Sequence, residues 1–372
     1  MKICLVHDDF CQAGGAESLF ATITQIFPDA PIYTSLIDWQ KLPKSLDPKR
    51  VKTSFIQKIP YATKFFKVLL PLYPLAFESF NFDDYDLVIS STTRFAKAII
   101  TKPQTVHISY VNSIPRFLWE PRTQSNYLPP AVRFILKPFF KWLKKWDMVT
   151  SARPDAYIAN SKNIQEKIKK IYGRKSQVVY PFAATNFYTP AKIHNWQLKN
   201  QKYFLIVTRL VKWKKIDIAI GAAIDLKFPL YIIGDGPDAK RLISLARNNK
   251  NIKFIGKVSP RVLRDYYRNS KCLIITQNED FGIATVEAQS CGVPVVAFSA
   301  GGVMEIIKDD KTGIFFEKQT PESLKDAISR FNKLKWKVST IRNNALRFSR
   351  STFVKEFKQG IQSVCPNPLI LK

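Results

Sequence analysis

Two glutamates, Glu279 and Glu287, stand with seven residues between them in the stretch NEDFGIATVEAQSCGVPVVA (278–297), and a Phe281-Gly282 pair follows the first. On one continuous helix, eight steps of about 100° would leave the carboxylates roughly 80° apart in azimuth and about 12 Å apart along the axis. On one strand they would face the same way but lie about 26 Å apart. The spacing becomes useful if the chain bends at Phe281-Gly282, leaving Glu279 on a loop and Glu287 on the helix that follows. The amides of Phe281, Gly282 and Ile283 then open a helix whose positive end favours an anion. A second stretch, Thr208-Arg209-Leu210-Val211-Lys212-Trp213-Lys214-Lys215, gathers four cations and an aromatic directly after an apolar run. Arg209, a planar fork, and Lys214, a point charge, suit a diphosphate; the plain alternative is a solvated basic loop. A third, Cys11 to Glu17, carries Gly14-Gly15 ahead of a helical pattern, where a backbone or a phosphate can come close. It lacks the G-x-G-x-x-G spacing, so a nicotinamide site is not supported. No histidine or carboxylate cluster has metal-ligand spacing. Asp84-Tyr85-Asp86 reads as a turn into the strand LVIS, and Asp8-Asp9 and Asp309-Asp310 as loop residues.

Those residues need elements to hold them. KICLV reads as a buried strand, then the glycine loop, then the helical AESLFATITQIF, in which Leu19, Ile23 and Ile26 share a face. A second start of this kind appears at YFLIV (203–207), after a polar, proline-punctuated linker at about 183–201. Beyond it LYII, NIKFIG, CLIIT and VPVVAF alternate with helical patterns. Ser259-Pro260 and Thr320-Pro321 each read as a capping hydroxyl before a proline at the first helical position. Gly292 reads as the stop of the helix after Glu279. Short apolar strands alternating with helices predict parallel sheets covered on both faces, hence an α/β chain of two doubly wound, Rossmann-like domains facing a central cleft. The expected divisions are an N-terminal Rossmann-like domain over 1–185, a C-terminal Rossmann-like domain over 186–348, and a C-terminal helix in 349–372 returning to the first domain.

Composition narrows the function classes. The 58 Lys and Arg against 29 Asp and Glu give a formal charge of +29, which attracts polyanions. Basic residues interleave with aromatics at RFILKPFFKWLKKWD (133–147), a pattern that suits a membrane interface, single-stranded bases, or simply a solvated helix face. No recognised nucleic-acid module is visible. The 5 cysteines are scattered and form no Cys-x-x-Cys pair, as expected for a reducing cytoplasm. No apolar run approaches the ~20 residues that span a bilayer. The longest candidate, FFKVLLPLYPLAF, is broken by Lys67, Pro71 and Pro74.

Taken together, these motifs resemble the retaining glycosyltransferases of family 4, which have the GT-B architecture. The E-x7-E motif of that family looks like Glu279 to Glu287, extended by SAGGVMEII and DDKTGIFF. GGAES, YDLVISS, FAKAII, IANSKNI, VVYPF, the stretch from Arg209 to Lys214 and IIGDGP match in family order over nearly the whole chain. The resemblance implies that Arg209 and Lys214 hold the donor's diphosphate and that Glu287 reaches the ribose. It implies that Glu279, with the amides of Phe281, Gly282 and Ile283, holds the sugar and its phosphate, while Gly14 and Gly15 approach from the other domain. HISYVNSIPRFLWEP (107–121) is similar to the family's Y-x-H-T-P-x-R-x-x-W-D segment, with Tyr110, Arg116 and Trp119 in register and Glu120 for Asp. Asn112 falls where that family has an active-site histidine. Asn112 exchanges hydrogen bonds but is no base near neutral pH, so the role expected of it is to orient the donor sugar. His107 reads as a structural histidine.

The expected activity is therefore metal-independent, retaining transfer of a hexosyl group, mannosyl from GDP-mannose by resemblance, to a lipid-linked or surface-polysaccharide acceptor. No cofactor is expected besides the nucleotide-sugar substrate. The expected place is the cytoplasm, peripheral on the inner face of the plasma membrane, with an anionic membrane surface as a partner and no nucleic acid. A nucleotide-sugar epimerase on the same fold, or a non-catalytic nucleic-acid-binding protein, is the alternative.

Overall fold

Apolar strands alternate with helices along the chain, and in the computed structural model they assemble two parallel sheets, one in each of two units. The structure describes residues 1–12, 14–120, 130–191, 203–247 and 249–365. The first unit comprises Met1–Tyr180 with Phe353–Lys372, and the second Pro181–Thr352.

The first unit holds strands β1 (Ile3–His7), β2 (Ile32–Thr34), β3 (Val51–Thr53), β4 (Leu87–Thr92), β5 (Val106–Val111), β6 (Ala156–Ala159) and β7 (Gln177–Val178), in the order β3-β2-β1-β4-β5-β6-β7. Its helices are α1 (Gly15–Ile26), α2 (Tyr73–Glu78), α3 (Arg116–Trp119), α4 (Pro130–Ile135), α5 (Lys137–Thr150) and α6 (Lys162–Tyr172). The strands are buried almost throughout because helices cover both faces, which explains why KICLV and LVISST read as continuous apolar or small runs. Helix boundaries follow local chemistry. Ser161 Oγ accepts from the Ile164 amide at 3.1 Å to start α6, and Gly173, at φ 67°, ends it in the left-handed region.

The second unit holds β8 (Tyr203–Val207), β9 (Leu230–Ile233), β10 (Ile252–Gly256), β11 (Ser270–Ile275), β12 (Val295–Phe298) and β13 (Gly313–Phe316), in the order β10-β9-β8-β11-β12-β13. Its helices are α7 (Ile216–Leu226), α8 (Ala239–Leu245), α9 (Pro260–Asn269), α10 (Ile283–Ser290), α11 (Val303–Ile306), α12 (Pro321–Lys333) and α13 (Val338–Leu346). Ser259 and Thr320 cap α9 and α12 with their hydroxyls, each before a proline. A last helix, α14 (Arg350–Val364), belongs to the first unit from Phe353 onward, where the rings of Phe353 and Phe357 lie 6.1 and 5.9 Å from that of Tyr110.

In each sheet one strand has its chain-order neighbours diverging to either side. β1 lies between β2 and β4, and β8 between β9 and β11. The carboxyl ends of such strands open a crevice where doubly wound sheets bind ligands. The loop after β1 contains Asp8 to Gly14, and the loop after β8 contains Thr208 to Lys215.

Candidate active site

Lys214 lies on the loop that follows the carboxyl end of β8. Its Nζ donates to Glu279 Oε1, and Gln277 Nε2 donates to the same oxygen at 2.5 Å. Lys214 is 8% exposed, yet its cation is neutralised by this carboxylate and lies 4.2 Å from the Trp213 ring centre. The loops are tied together from behind. Thr276 Oγ1 donates to the Lys214 carbonyl at 2.7 Å, and Gln319 Nε2 to the Thr276 carbonyl at 2.8 Å. Arg209, on the same loop, is exposed.

The chain does bend between the two glutamates. Gly282 has φ 105°, a conformation that L side chains rarely adopt, and α10 begins at Ile283 with no side-chain cap. The bend is held by a second glycine pair. The Gly302 amide donates to the Glu279 carbonyl at 2.8 Å, and a Cβ on Gly301 would stand 2.2 Å from that oxygen. A Cβ on Gly302 would stand 2.4 Å from Phe281 Cα. SAGG is therefore needed for close backbone approach. Phe281 is buried against Phe348.

Glu287 has a different environment from Glu279. Its carboxylate accepts from the Tyr267 hydroxyl at 2.9 Å and also from the Tyr188 hydroxyl. Burial pushes its carboxyl up to about 7, against the effect of the two tyrosines. The two glutamates thus carry separate hydrogen-bond sets on either side of one helix start. Lys214 and Glu279 meet beside the bend at Gly282, and Glu287 lies further along α10 with its own partners; Gly14, Gly15 and Asn112 belong to the other unit.

In the first unit, Asn112 follows β5. Its Nδ2 donates to Ser91 Oγ at 2.9 Å and to the Thr92 carbonyl at 3.5 Å, so the amide nitrogen is turned into the strand ends. No described residue donates to Oδ1. The Asn112 carbonyl accepts from Asn160 Nδ2 at 2.7 Å. Gly14 precedes α1 with extended backbone, and a Cβ there would meet Glu17 Oε2 at 3.0 Å. Burial raises the Glu17 carboxyl to about 7. His107 is buried with Nε2 2.9 Å from Ser90 Oγ; burial lowers it to about 3, and Nδ1 has no hydrogen-bond partner among the described residues.

Sequence reasoning missed the partners that shape these loops. Asp8 and Asp9 do lie in the loop after β1, but both are buried. Asp8 accepts from the amides of Thr93, Arg94, Phe95 and Ala96 at 2.5, 2.9, 2.8 and 2.7 Å, which closes the ends of β1 and β4. Burial works against its charge, but Arg94, His7 and these amides hold its carboxyl below the usual range. Asp9 pairs with Arg94 and accepts from the Tyr73 hydroxyl at 3.3 Å. The available signal was two acids directly after an apolar strand, a position where folding buries them. A further hub is Asp147 on α5, which accepts from Lys97 Nζ at 2.5 Å, Trp119 Nε1 at 2.7 Å and the Tyr172 hydroxyl at 2.9 Å. Among the described residues no group of three or more His, Cys, Asp or Glu could hold a metal ion, and no helix is long and apolar enough to cross a membrane.

Comparison with known proteins bears on this geometry. Residues 190–348 match the family model of glycosyl transferases group 1. An uncharacterized glycosyltransferase of Methanocaldococcus jannaschii is 30% identical over 163 residues, 43% of this chain and 46% of the relative. A D-inositol 3-phosphate glycosyltransferase of Geodermatophilus obscurus is 25% identical over 203 residues, 48% of this chain and 45% of the relative. The chain thus spans about half the length of these curated relatives. Among solved structures, Anabaena HepE in complex with UDP and glucose superposes with a TM-score of 0.71 at 19% identity, covering 98% of this chain and 100% of that one. That likeness establishes the GT-B fold of two Rossmann-like units. Over residues 190–348 the chain is thus similar to glycosyl transferases group 1, and its fold is GT-B.

Proposed function

We propose that the protein is a metal-independent, retaining glycosyltransferase that moves a hexosyl group from a nucleotide sugar to a lipid-linked or surface-polysaccharide acceptor. The observation that carries this reading is the Lys214–Glu279–Gln277 cluster at the β8 switch point, beside the bend at Gly282 that starts α10. An isolated basic loop would leave its cations to water. Here one cation is buried, neutralised by a carboxylate, and set next to a helix start, where an arriving diphosphate can take it over.

In this reading Arg209 and Lys214 bind the diphosphate, and the amides of Phe281, Gly282 and Ile283 take up the negative charge that develops as it leaves. Glu279, released from Lys214, accepts from sugar hydroxyls; Glu287 accepts from the ribose. In the first unit Asn112, with its nitrogen committed to Ser91 and Thr92, keeps its oxygen for a sugar hydroxyl, and Gly14 and Gly15 allow close approach at the start of α1. The bond between the anomeric carbon and the phosphate oxygen breaks. The acceptor oxygen bonds to that carbon on the same face, and its proton passes to the departing diphosphate. No step needs a metal. GDP-mannose is the donor suggested by resemblance, and UDP-glucose the one suggested by HepE, which was solved with UDP and glucose. We further place the enzyme in the cytoplasm, peripheral on the inner face of the plasma membrane.

The test is release of nucleoside diphosphate from each donor, with and without a lipid extract as acceptor. Acceptor-dependent release that is lost in Glu279→Gln supports transfer. Sugar isomerisation without acceptor would point to an epimerase and contradict the proposal.

A further inference from the structure

The first unit carries two acid-free basic stretches apart from the residues assigned to the donor. Residues 48–77 and 130–146 contain 11 Lys and Arg and no Asp or Glu. Two such stretches would repel each other if brought together without a counter-charge.

The fold brings them onto one core. Phe66, Leu69, Phe139 and Phe140 all pack against the buried cluster that includes Tyr73, Phe77, Phe95 and Leu143. The Phe95 ring lies 6.2 Å from Tyr73 and 5.4 Å from Trp146, and Trp146 Nε1 donates to Glu78 Oε1 at 3.0 Å. That bond ties α5 to Glu78, the last residue of α2, whose other residues end the first stretch. Outward from this core the apolar side chains are not covered. Tyr61 is 76% exposed, Val68 73%, Phe134 77% and Ile135 72%, with Phe65 and Trp142 about half exposed. Exposed lysines at 64, 67, 137, 141, 144 and 145 stand in the same two stretches. On α5, Leu143, Asp147 and Thr150 point inward, and the lysines occupy the other sides.

We infer that these two stretches form one docking surface for an anionic lipid bilayer, with Phe134, Ile135, Tyr61 and Val68 entering the interface and the lysines meeting the headgroups. Exposed aromatics and aliphatics ringed by lysine suit a surface that is apolar below and negative above. A nucleic acid would match the charge but leave the aliphatic tips Val68 and Ile135 in water. A second copy of this chain would bring lysine against lysine. The inference deepens the peripheral placement proposed above and names its contact surface. Since it concerns binding alone, it stands or falls apart from transfer.

The experiment is flotation of the full chain with vesicles of neutral phosphatidylcholine, or of the same lipid mixed with an anionic phospholipid, at low and high salt. Three variants accompany the native chain: Phe134→Ser with Ile135→Ser, Tyr61→Ser with Val68→Ser, and Lys141→Glu with Lys145→Glu. All alter exposed side chains. Flotation with the anionic vesicles, weakened by salt and lowered about tenfold or more by each variant, is expected. No flotation, flotation untouched by all three variants, or retention on single-stranded RNA in place of vesicles would overturn the inference. A chain that floats but transfers no sugar would retract the transferase reading and leave this one intact.

Discussion

Replacing Asp147 by Asn tests how the first unit holds the segment that carries Asn112. Asp147 and Lys97 are 0% and 1% exposed at their side chains, and the carboxylate also accepts from Trp119 and Tyr172. An asparagine offers one oxygen and one donor group. If the oxygen keeps Lys97, its NH2 faces the indole N–H or the phenol O–H, and one buried donor loses its acceptor. Lys97 meanwhile becomes a buried cation with a neutral partner. Leaving a buried charge unpaired costs about 3–5 kcal/mol, and an unsatisfied buried donor about 1–3 kcal/mol; the two overlap, so a loss of about 4 kcal/mol is expected. That is a large share of the roughly 5–15 kcal/mol typical of a domain. Urea unfolding followed by circular dichroism should show the loss in the transition of the first unit, with the second unit's transition unmoved. The double variant Lys97→Met, Asp147→Leu should recover much of it, because the desolvated charges go together. A loss under about 1 kcal/mol for Asp147→Asn, or a double variant no better than the single, would refute this account of the hub.

Other expectations follow from the second unit. Glu279→Gln keeps an oxygen for Lys214 and Gln277 but loses the charge, so donor turnover should fall by about 10²–10³ with little change in melting; unchanged turnover would remove Glu279 from the site. Glu287 is protonated in the fold up to about 7, well above the ordinary carboxylate range. The native state therefore holds a proton the unfolded chain has released, and stability falls as pH rises from ordinary carboxylate values to about 7, then levels. Glu287→Gln should flatten that slope in urea midpoints, and an unaltered slope would assign it elsewhere. Gly302→Ala places a Cβ 2.4 Å from Phe281 Cα, so it should disturb the Glu279 loop and weaken donor binding several-fold or more; native affinity would show that the loop yields.

Much of the fold was legible because it rests on local signals. The runs KICLV, YFLIV and CLIIT became β1, β8 and β11, and the hydroxyl-proline pairs at Ser259 and Thr320 became helix starts. The bend at Gly282 was legible for the same reason. What stayed hidden depends on contacts far apart in sequence. Lys214 and Glu279 were read separately, and their pairing appears only once β8 and β11 lie side by side. The tyrosines on Glu287 come from α9 and from the segment before β8 and carry no motif. Asp147 was read only as the acidic end of a basic stretch; its burial depends on Lys97, 50 residues away. Asn112 was noticed as a departure, yet only the strand ends at Ser91 and Thr92 show that its nitrogen is committed and its oxygen is left.

The central claim, a nucleotide-sugar site in the second unit built on Lys214 and Glu279, is tested most directly by thermal unfolding with a panel of nucleotide sugars and nucleotides. A donor at about 100 times its dissociation constant should stabilise the native state by about 2.7 kcal/mol, with GDP-mannose and UDP-glucose as the first two tried. The shift should vanish in Lys214→Met. A native chain that no nucleotide sugar stabilises, or a shift that survives Lys214→Met unchanged, would contradict the account.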